Sequence, residues 1–566
     1  MLEQNLIKIY EQSFRENREM AALTDYFKGE TFSYYEIAKE VAKLHLLFKE
    51  AGIERGDKIA LIGRNNTRWC ISYIATITYG AVIVPILQDF NPTDVINIIN
   101  HSESKLLFLG DNFWDDIEGD QIPSIGAVFS LTDFHVIYER EGDKLTNYMK
   151  NMMMNYREAY PRGFSIDDIK YPEIANDEVC LLNYTSGTTG SSKGVMLTVN
   201  NLTGNVIFAK NMVNPDTNEH YFRKGARTLS FLPLAHAYGC TFDFLSPLAC
   251  GGHITLLGRI PSPKILVEAM KVTRPTVVCS VPLILEKVYR KSILPMLEKG
   301  PMSIAMRIPL LNTAIYSTIK SKLMEQFGGC IEIFIVGGAA LNKETEDFLR
   351  LIKFPITVGY GMTECAPLIS FQLPQYFKSG SCGAVLPDLL EARIDSRDPQ
   401  NIPGELLIKG EHVMKGYYKN ENATKAVLEE DGWLHTGDMC TMDSDRTLYI
   451  RGRCKTMILS GSGQNIYPEE IEERLNNLYM VGESLVIENN GRLTALVVPD
   501  YELANAEGIN LDNLQDIMDE NLKQLNGMVA SYEKVANIVI HREEFVKTPK
   551  RSIKRYLYSA ERLNLN

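Results

Sequence analysis

Residues 181–194 of the chain read LLNYTSGTTGSSKG. The apolar start is typical of a strand, and the glycines and hydroxyl residues after it are typical of a loop, which closes on Lys193. Glycines let backbone N–H groups turn toward an anion, hydroxyl groups donate further hydrogen bonds, and a lysine adds a positive charge. The stretch therefore predicts a loop between two strands that cradles a polyphosphate.

The spacing of this loop is not that of a P-loop. No Gly-Lys-Ser/Thr follows four residues after a glycine, and a strand rather than a helix is expected after the loop. The alternative is a flexible hairpin turn rich in serine and glycine. The length of the loop, its many hydroxyl groups and the closing Lys193-Gly194 favour the phosphate-binding interpretation.

The sequence around the loop alternates between strand-like and helix-like stretches. Strand-like runs at 59–62, 81–85 and 105–109 alternate with helical stretches such as 35–52. This alternation continues through roughly the first four hundred residues, a length that is sufficient for several packed units. The pattern predicts an α/β fold in which a large N-terminal region contains several α/β layers.

A different pattern begins near residue 453. Residues 467–470 combine an early proline with two acidic residues, as expected where a helix starts. Residues 481–500 are typical of two strands joined by the turn Asn489-Asn490-Gly491. These features predict a small C-terminal α+β domain.

Composition excludes several classes of protein. The chain has 566 residues, of which 45% are hydrophobic, and a formal net charge of −12 without a charged block. These values are typical of a globular protein and argue against a nucleic-acid partner. The ten cysteines are scattered without a Cys-x-x-Cys pair, so we expect reduced thiols in a cytoplasmic protein.

Membrane insertion is not expected from the sequence. The uncharged stretch 70–87 contains Gly80 and Pro85 and favours a buried helix followed by a strand. Residues 1–10 are amphipathic and lack the pattern of a secretory signal. Peripheral contact with the inner membrane face and formation of a homodimer are left open.

Residues 358–364, which read VGYGMTE, suit a nucleotide site. An aromatic ring at Tyr360 can stack on adenine, Thr363 can donate to a phosphate, and Glu364 offers a hard carboxylate for Mg²⁺. Taken alone, the stretch favours the simpler interpretation of a strand end and a helix cap.

Taken together with residues 181–194, this stretch makes the chain resemble the acyl-adenylate-forming superfamily, which includes acyl-CoA synthetases, firefly-type luciferases and peptide-synthetase adenylation domains. Further motifs follow in the order of that family: Gly337-Gly338-Ala339 after an apolar run, Thr436-Gly437-Asp438, Gly452-Arg453-Cys454-Lys455, and the stretch from Ser462 to Glu472. The resemblance extends over nearly the whole chain.

The resemblance implies specific roles for residues of this chain. It implies a cofactor-binding set, in which Ser462 and Gly463 match the surface used for the thiol step; the set consists of Thr185, Ser186, Gly187, Thr188, Thr189, Gly190, Lys193, Gly338, Ala339, Gly359, Tyr360, Gly361, Met362, Thr363, Asp438, Arg453, Ser462 and Gly463. Thr185 and Glu364 are expected to hold Mg²⁺. Catalytic roles are expected for Lys193, His236, Glu364, Lys550 and Lys554.

The same resemblance implies a division of the chain. Residues 1–452 correspond to the domain that binds ATP and the acyl group, residues 453–456 to a hinge with Lys455 as its pivot, and residues 457–566 to a small mobile domain. The family rotates this domain between its two half-reactions.

The acid and its acceptor are also implied by resemblance. Residues 231–239 resemble the segment that lines the acyl pocket, which gives His236, Tyr238, Gly239, Gly337 and Gly338 as acyl-binding residues. Residues 280–289, the helical region that continues to Phe327, and Asp431-Gly432-Trp433 resemble long-chain fatty acyl-CoA synthetases.

The implied substrates are therefore ATP, CoA and a medium- to long-chain fatty acid. Two alternatives stay open: a fatty acyl-AMP ligase that delivers to a carrier protein, and an acyl- or nucleotide-binding homologue with weakened catalysis.

One position departs from the family pattern. The family carries a catalytic lysine in Pro-Lys-Thr-x-x-Gly-Lys-Ile near its C-terminus, whereas residues 546–555 place Ser552 at that position. Lys550 and Lys554 are the candidates to replace it. The alternative is that this basic cluster forms only a solvated surface.

Overall fold

The computed structural model describes residues 1–185, 192–259, 261–298, 308–460, 464–548 and 552–563. The chain forms two compact units. The large unit contains Met1–Thr185, Ser192–Glu391 and Ile408–Leu434, and the small unit contains Ala392–Leu407 and His435–Asn566. The predicted hinge at 453–456 lies inside the small unit, and the division at this hinge remains a prediction.

The strands of the described residues, in chain order, are β1 (Ala21–Asp25), β2 (Thr31–Ser33), β3 (Lys58–Ile62), β4 (Val82–Ile86), β5 (Leu106–Leu109), β6 (Ala127–Ser130), β7 (Val136–Glu139), β8 (Val179–Thr185), β9 (Lys193–Thr198), β10 (Arg227–Ser230), β11 (His253–Leu256), β12 (Val277–Ser280), β13 (Ile333–Val336), β14 (Ile356–Val358), β15 (Tyr360–Gly361), β16 (Leu368–Phe371), β17 (Ala384–Val385), β18 (Leu390–Asp395), β19 (Gly404–Gly410), β20 (Gly416–Tyr417), β21 (Leu434–Met442), β22 (Leu448–Arg453), β23 (Ile458–Leu459), β24 (Asn465–Ile466), β25 (Val481–Asn489), β26 (Arg492–Pro499) and β27 (Val535–Ile540).

The α-helices, in chain order, are α1 (Leu6–Glu16), α2 (Tyr34–Glu50), α3 (Thr67–Tyr79), α4 (Pro92–Ser102), α5 (Lys144–Lys150), α6 (Met152–Ala159), α7 (Val199–Lys210), α8 (Ala237–Gly239), α9 (Ser246–Ala249), α10 (Pro263–Thr273), α11 (Pro282–Val288), α12 (Leu294–Glu298), α13 (Pro309–Gln326), α14 (Lys343–Leu351), α15 (Glu421–Lys425), α16 (Pro468–Leu475), α17 (Tyr501–Glu507) and α18 (Leu511–Met528).

The first sheet of the large unit has eight strands in the order β20-β9-β8-β4-β3-β5-β6-β7. Its centre, from β8 to β6, is parallel, and β9, β20 and β7 join antiparallel at the edges. Every residue of β4 and β5 is buried, as expected for parallel strands that are covered on both faces. The predicted strand runs near 59–62, 81–85 and 105–109 are thus confirmed.

The second sheet has seven strands in the order β14-β13-β12-β10-β11-β1-β2. All of its neighbouring pairs are parallel except β1 with β2. The carboxyl ends of β10, β12, β13 and β14 therefore meet at one edge. In α/β sheets this is the edge at which ligands bind.

Helix α2 begins, and helix α3 ends, at a type of residue that is favoured in that position. Ser33 caps α2 in a capping box with Glu36, and Gly80 ends α3 with φ 91°, a left-handed conformation that suits glycine. Helix α3 is buried almost all round and leads into β4, which confirms the helix and strand expected within 70–87. Among the described residues, no helix combines the length and apolar character needed to cross a bilayer.

The small unit has three sheets. They are β18-β19-β21-β22, the pair β23-β24, and β25-β26-β27. Strands β25 and β26 form a hairpin whose turn residues Asn490 and Gly491 have φ of 50° and 73°, as a tight hairpin turn requires. Helix α16 starts at Pro468 and packs Ile471 and Leu475 into the core of this unit. Both the hairpin and the helix start are as predicted.

Candidate active site

The predicted phosphate loop joins two paired strands. Strands β8 and β9 are antiparallel, and Thr185, the last residue of β8, lies opposite Lys193, the first residue of β9. The expectation of a strand on each side of the loop is confirmed. The loop residues Ser186, Gly187, Thr188, Thr189 and Gly190 lie outside the described residues.

Three side chains meet beside this hairpin. The Lys193 Nζ atom lies 4.8 Å from the centre of the Tyr417 ring. The Tyr417 hydroxyl donates a hydrogen bond of 2.9 Å to Glu364 Oε1. The ring of Tyr417 therefore contacts a cation at its face and a carboxylate at its edge, and it brings together two residues that the sequence had named separately.

Tyr417 is 7% exposed, and this burial has an electrostatic consequence. Burial raises the pKa of the Tyr417 hydroxyl, and the nearby charge of Glu364 raises it further. The phenol therefore stays protonated and serves as a donor to Glu364 over the whole physiological pH range.

Sequence reasoning missed Tyr417. It lies on the two-residue strand β20, which pairs with β9 so that Tyr417 is opposite Val195. Nothing in the local sequence indicates this pairing, because Gly416-Tyr417 is far from the hairpin along the chain. Only the position of β20 at the end of the eight-stranded sheet brings the ring to Lys193.

The turn that carries Glu364 is fixed by its backbone. The Met414 N–H donates to the Glu364 carbonyl at 2.9 Å, and the Met362 N–H donates to the Pro367 carbonyl at 2.9 Å. A Cβ atom at Gly361 would lie 2.1 Å from the Pro367 carbonyl oxygen, so only glycine fits there. Thr363 in the same turn is buried.

The adjacent loops are tied to each other at the carboxyl ends of β12, β13 and β14. The Gly337 N–H donates to the Ser280 carbonyl at 3.1 Å, and the Gly359 N–H donates to the Val336 carbonyl at 2.9 Å. Tyr360 follows directly and is half-buried. Gly337, Gly359 and Tyr360, which were predicted to belong to the site, therefore lie at this edge of the second sheet.

Two residues of the glycine motif are accessible at the edge where these strands end. Gly338 has φ 85°, and both Gly338 and Ala339 are exposed. They are the part of the glycine motif that a ligand can reach.

Tyr238 packs against the glycine motif. A Cβ atom at Gly337 would lie 3.2 Å from the Tyr238 ring, and the Tyr238 hydroxyl donates to the Ile335 carbonyl at 3.0 Å. At Gly239 a Cβ atom would lie 2.8 Å from the Pro233 carbonyl oxygen. The structure therefore brings together Tyr238, Gly239 and Gly337, as the sequence had grouped them.

His236 caps the short helix α8. Its Nδ1 atom accepts from the Tyr238 N–H at 3.3 Å, which leaves the ring proton of a neutral imidazole on Nε2. The preceding loop is held by Asn65, which accepts from the Leu234 N–H at 3.0 Å and donates to the Leu232 carbonyl at 2.7 Å. His236 is half-buried on a loop that is fixed at several points.

In the small unit, Asp438 and Arg453 face each other on β21 and β22. Arg453 Nε lies 2.7 Å from Asp438 Oδ1, and Asp438 is 4% exposed whereas the Arg453 side chain is 53% exposed. Glu405 accepts from the Gly437 N–H at 3.0 Å and so fixes the turn before Asp438. The two residues assigned to the nucleotide thus form an ion pair within one unit.

The predicted hinge forms a turn after β22. Lys455 is exposed, and the Thr456 hydroxyl donates to Glu469 Oε1 at 2.7 Å. Ser462 and Gly463, which were expected to contact substrate, lie outside the described residues.

Residues on the two sides of 549–551 pair with each other near the departure from the family pattern. Lys547 pairs with Ile553, and the Thr548 N–H donates to the Ser552 carbonyl at 2.8 Å. Ser552 is exposed and Lys554 is half-buried. Lys550 lies outside the described residues, so the choice between Lys550 and Lys554 stays a prediction.

Arg555 anchors this segment to helix α16. Its guanidinium pairs with Glu472 and lies 3.5 Å from Glu469 Oε1. Glu472 Oε1 also accepts from the Val486 N–H at 2.6 Å. Burial nevertheless raises the pKa of Glu472 to about 7, and Arg555 offsets part of that shift.

Metal binding was predicted at Thr185 and Glu364. Among the described residues, no group of three or more His, Cys, Asp and Glu side chains is arranged to hold a metal ion. Mg²⁺ in nucleotide sites is commonly held by one or two protein ligands together with phosphate oxygens. A single carboxylate at Glu364, held beside the hairpin by Tyr417, fits a site of that kind.

A separate cavity of about 410 Å³ lies at the other edge of the first sheet. It is lined by residues at the amino ends of β3, β4 and β8, which include Lys58, Val82 and Val179. Thr185 lies at the carboxyl end of β8. This cavity is therefore distinct from the residues predicted to bind nucleotide.

Known proteins resemble the chain over most of its length. A model of the AMP-binding enzyme family matches residues 10–418. A long-chain-fatty-acid–CoA ligase of Mus musculus is 28% identical over 560 residues, which cover 91% of this chain and 78% of that protein. A 4-coumarate–CoA ligase of Humulus lupulus is 27% identical over 552 residues, which cover 94% of this chain and 89% of that protein.

The fold is also that of solved structures. ATP-bound MatB from Rhodopseudomonas palustris matches with a TM-score of 0.75 and 21% identity, over 98% of each chain. This likeness confirms the predicted α/β fold class.

The raised pKa of Glu472 predicts a pH-dependent stability of the small unit. An exposed glutamate titrates near 4.5, whereas Glu472 in the folded unit titrates at about 7, so the folded state binds the extra proton between these values. Stability is therefore highest below the lower value and falls as pH rises through about 7. We expect a loss on the order of 2 kcal/mol between pH 5 and pH 7.5.

Thermal unfolding and hydrogen exchange at the Val486 amide, measured at both pH values, check this expectation. Glu472→Gln should remove the dependence, whereas Glu488→Gln, which changes an exposed glutamate of the same unit, should keep it. An unchanged pH dependence in Glu472→Gln would contradict the assignment.

Proposed function

The chain belongs to the AMP-binding enzyme family, and we propose that it activates a carboxylic acid with ATP and transfers the acyl group to CoA. An AMP-forming acid–CoA ligase is the activity that this membership supports, and the sequence resemblance to acyl-CoA synthetases agrees with it. The observation that carries the proposal is the cluster of Lys193, Tyr417 and Glu364 beside the loop between β8 and β9.

The acid that we propose is a medium- to long-chain fatty acid. Relatives named as long-chain-fatty-acid–CoA ligases support this choice, although a 4-coumarate–CoA ligase is similarly related. The sequence of residues 280–327 supports it as well, because it resembles that of long-chain enzymes. Tyr238 and Gly337 are the proposed wall of the acyl pocket.

In the proposed first half-reaction, a carboxylate oxygen of the acid attacks the α-phosphorus of ATP. The bond to the β-phosphate oxygen breaks and pyrophosphate leaves with the electron pair, which gives acyl-AMP. Lys193 and the N–H groups of the loop bind phosphate oxygens, and the Tyr360 ring stacks on adenine. The protein thus contributes by orienting the reactants and by stabilising developing charge.

Mg²⁺ bound through Glu364 and Thr185 would neutralise charge on the phosphate oxygens. Tyr417 orients the Glu364 carboxylate for that role through its hydrogen bond. We propose that His236 lies beside the acyl carboxylate, where its Nε2–H can donate a hydrogen bond.

In the proposed second half-reaction, the CoA thiolate attacks the acyl carbonyl carbon, the bond to AMP breaks, and AMP leaves. We propose that residues 457–566 move about the hinge 453–456, with Lys455 as pivot, between the two steps. Asp438 and Arg453 are the proposed contacts for the ribose and the nucleotide. Ser462 and Gly463 are proposed for the thiol step.

Two alternatives stay open. A fatty acyl-AMP ligase would deliver the acyl group to a carrier protein and would give no AMP release with CoA. A homologue with weakened catalysis is favoured by Ser552, which replaces the family lysine with an uncharged side chain. A cytoplasmic location, contact with the inner membrane face and homodimer formation stay predictions.

Pyrophosphate exchange that depends on added acid tests the proposed function directly. We expect exchange with fatty acids of medium or long chain, and formation of a thioester and AMP when CoA is added. Exchange without thioester formation would favour delivery to a carrier protein. No exchange with any acid across the chain-length series, together with intact ATP binding, would show that the chain is a binding protein.

Tyr417→Phe tests the link between Glu364 and Lys193. The variant keeps the ring that contacts Lys193 but removes the donor to Glu364, so we expect activity to fall by about 10- to 100-fold, the usual range for a hydrogen bond to a charged group. The Mg²⁺ concentration for half-maximal activity should rise.

Tyr418→Phe is the matched control, because its hydroxyl donates only at 3.3 Å to the exposed Glu103. Its activity should stay within about twofold of the unchanged protein, as expected for a surface contact. Equal losses in the two variants would argue that Glu364 does not need this donor.

Ser552→Lys tests the departure from the family pattern. If the missing cation limits acyl-AMP formation, a lysine at this exposed position should raise the rate of pyrophosphate exchange. Lys554→Ala should lower that rate if Lys554 already replaces the family lysine. An unchanged rate in Ser552→Lys, with a strong loss in Lys554→Ala, would assign the role to Lys554.

A further inference from the structure

The helix that carries Tyr238 contains a widened turn. Residues 237–249 run through α8, a π-helical segment Cys240–Leu245, and α9. In an α-helix, residues five apart lie ~140° apart around the axis, whereas the i→i+5 hydrogen bonds of a π-helix bring such residues toward the same side. The widened turn therefore brings Asp243 toward the side of Tyr238. Such turns are frequent at functional sites.

Asp243 is fully buried and has no ordinary hydrogen bond. Its side chain is 0% exposed, and among the described residues neither carboxyl oxygen makes a hydrogen bond of ordinary geometry, although the Cys279 thiol and the Leu232 N–H interact with it. A buried carboxyl group without such hydrogen bonds destabilises a folded protein, so its presence requires an explanation. The Cys279 thiol and the Leu232 N–H offset only part of the effect of this burial.

The surroundings place this group at the proposed acyl pocket. Asp243 and Tyr238 both interact with the Cys279 thiol on β12, and Cys279 is itself fully buried. Tyr238 packs against Gly337, and Thr241 of the same turn donates to the Ala366 carbonyl at 3.4 Å, two residues after Glu364. The π-helical segment thus lies between the glycine motif and the turn that carries Glu364.

We infer that Asp243 is a specificity-determining residue of the acyl pocket, and that its carboxyl group forms a hydrogen bond with a polar substituent on the acid, such as a hydroxyl or oxo group. This inference rests on the proposed function, which it deepens by naming the class of acid. A plain alkyl chain would leave the carboxyl group with only the Cys279 thiol and the Leu232 N–H as partners. An oxygenated fatty acid would supply one.

The protonation state of Asp243 suits this role. Burial raises the pKa of its carboxyl group well above the usual range, and the Cys279 thiol and the Leu232 N–H offset only part of that shift. Burial therefore favours the neutral form of the group. A neutral carboxyl group can donate to an oxo group or accept from a hydroxyl group.

The test compares acids of equal length. The unchanged protein is assayed with a saturated fatty acid and with a series that carries one hydroxyl or oxo group at successive carbons. We expect at least one oxygenated acid to have a kcat/KM for acyl-CoA formation at least about tenfold higher than the saturated acid. If saturated acids are used and no oxygenated acid is preferred, the inference fails while the proposed function stands. If no acid is used, both fail.

Variants of Asp243 provide the second part of the test. Asp243→Val should lower kcat/KM for the preferred oxygenated acid by about tenfold or more and raise it for the saturated acid, which reverses the preference. Asp243→Asn should keep the preference, because an amide still forms hydrogen bonds. Equal losses for both acids in Asp243→Val would overturn the inference.

Stability separates this role from a structural one. Asp243→Val should raise the midpoint of thermal unfolding of the free protein, because it removes a buried carboxyl group without ordinary hydrogen bonds. A lower midpoint with an unchanged acid preference would show a structural role and overturn the inference. Ser246→Ala is the matched control, since Ser246 is also fully buried on this helix with an unpartnered hydroxyl among the described residues, and it should not alter the preference. If Asp243→Val does not fold, the acid series with the unchanged protein and Asp243→Asn decides.

Discussion

The contact of Tyr417 with Lys193 on one side and Glu364 on the other is the interaction on which the proposed site depends. A buried phenol beside a carboxylate stays protonated, and its ring face attracts a cation while its hydroxyl donates to an anion. One uncharged side chain thus contacts both a cation and an anion. Both charged groups are thereby held beside the loop that is proposed to bind phosphate.

The residues of that interaction lie at strand ends and in loops that belong to the two sheets of the large unit. The hairpin of β8 and β9 and the short strand β20 belong to the first sheet, whereas the loops after β12, β13 and β14 belong to the second. Hydrogen bonds of Asn65 to the loop before His236 join the two sheets at this point. The loops are therefore held in place by hydrogen bonds to their backbone.

Two buried carboxyl groups, those of Glu472 and Asp243, differ in the partners that compensate for their burial. Glu472 is buried beside Arg555 and the Val486 N–H, and these two partners offset part of the free-energy cost of burying its carboxyl group. Asp243 has weaker partners, because the Cys279 thiol and the Leu232 N–H offset only part of the effect of its burial. A protein that keeps the second kind of group loses stability in the free state, as expected where a ligand completes the hydrogen bonds.

The sequence alone determined the alternation of strands and helices, the hairpin around the glycine loop and the motif residues Tyr360 to Glu364, because these follow from local periodicity and turn chemistry. It did not determine the position of Tyr417, since a two-residue strand has no periodicity and its pairing with β9 is set by the whole sheet. It also did not indicate the π-helical turn at Asp243, because every residue of Cys240–Leu245 and Ser246–Ala249 is buried and the segment has no polar face that would reveal an extra residue. Local rules fix which residues form strands, turns and helices, whereas the neighbours of a side chain are fixed by packing between segments that are distant along the chain.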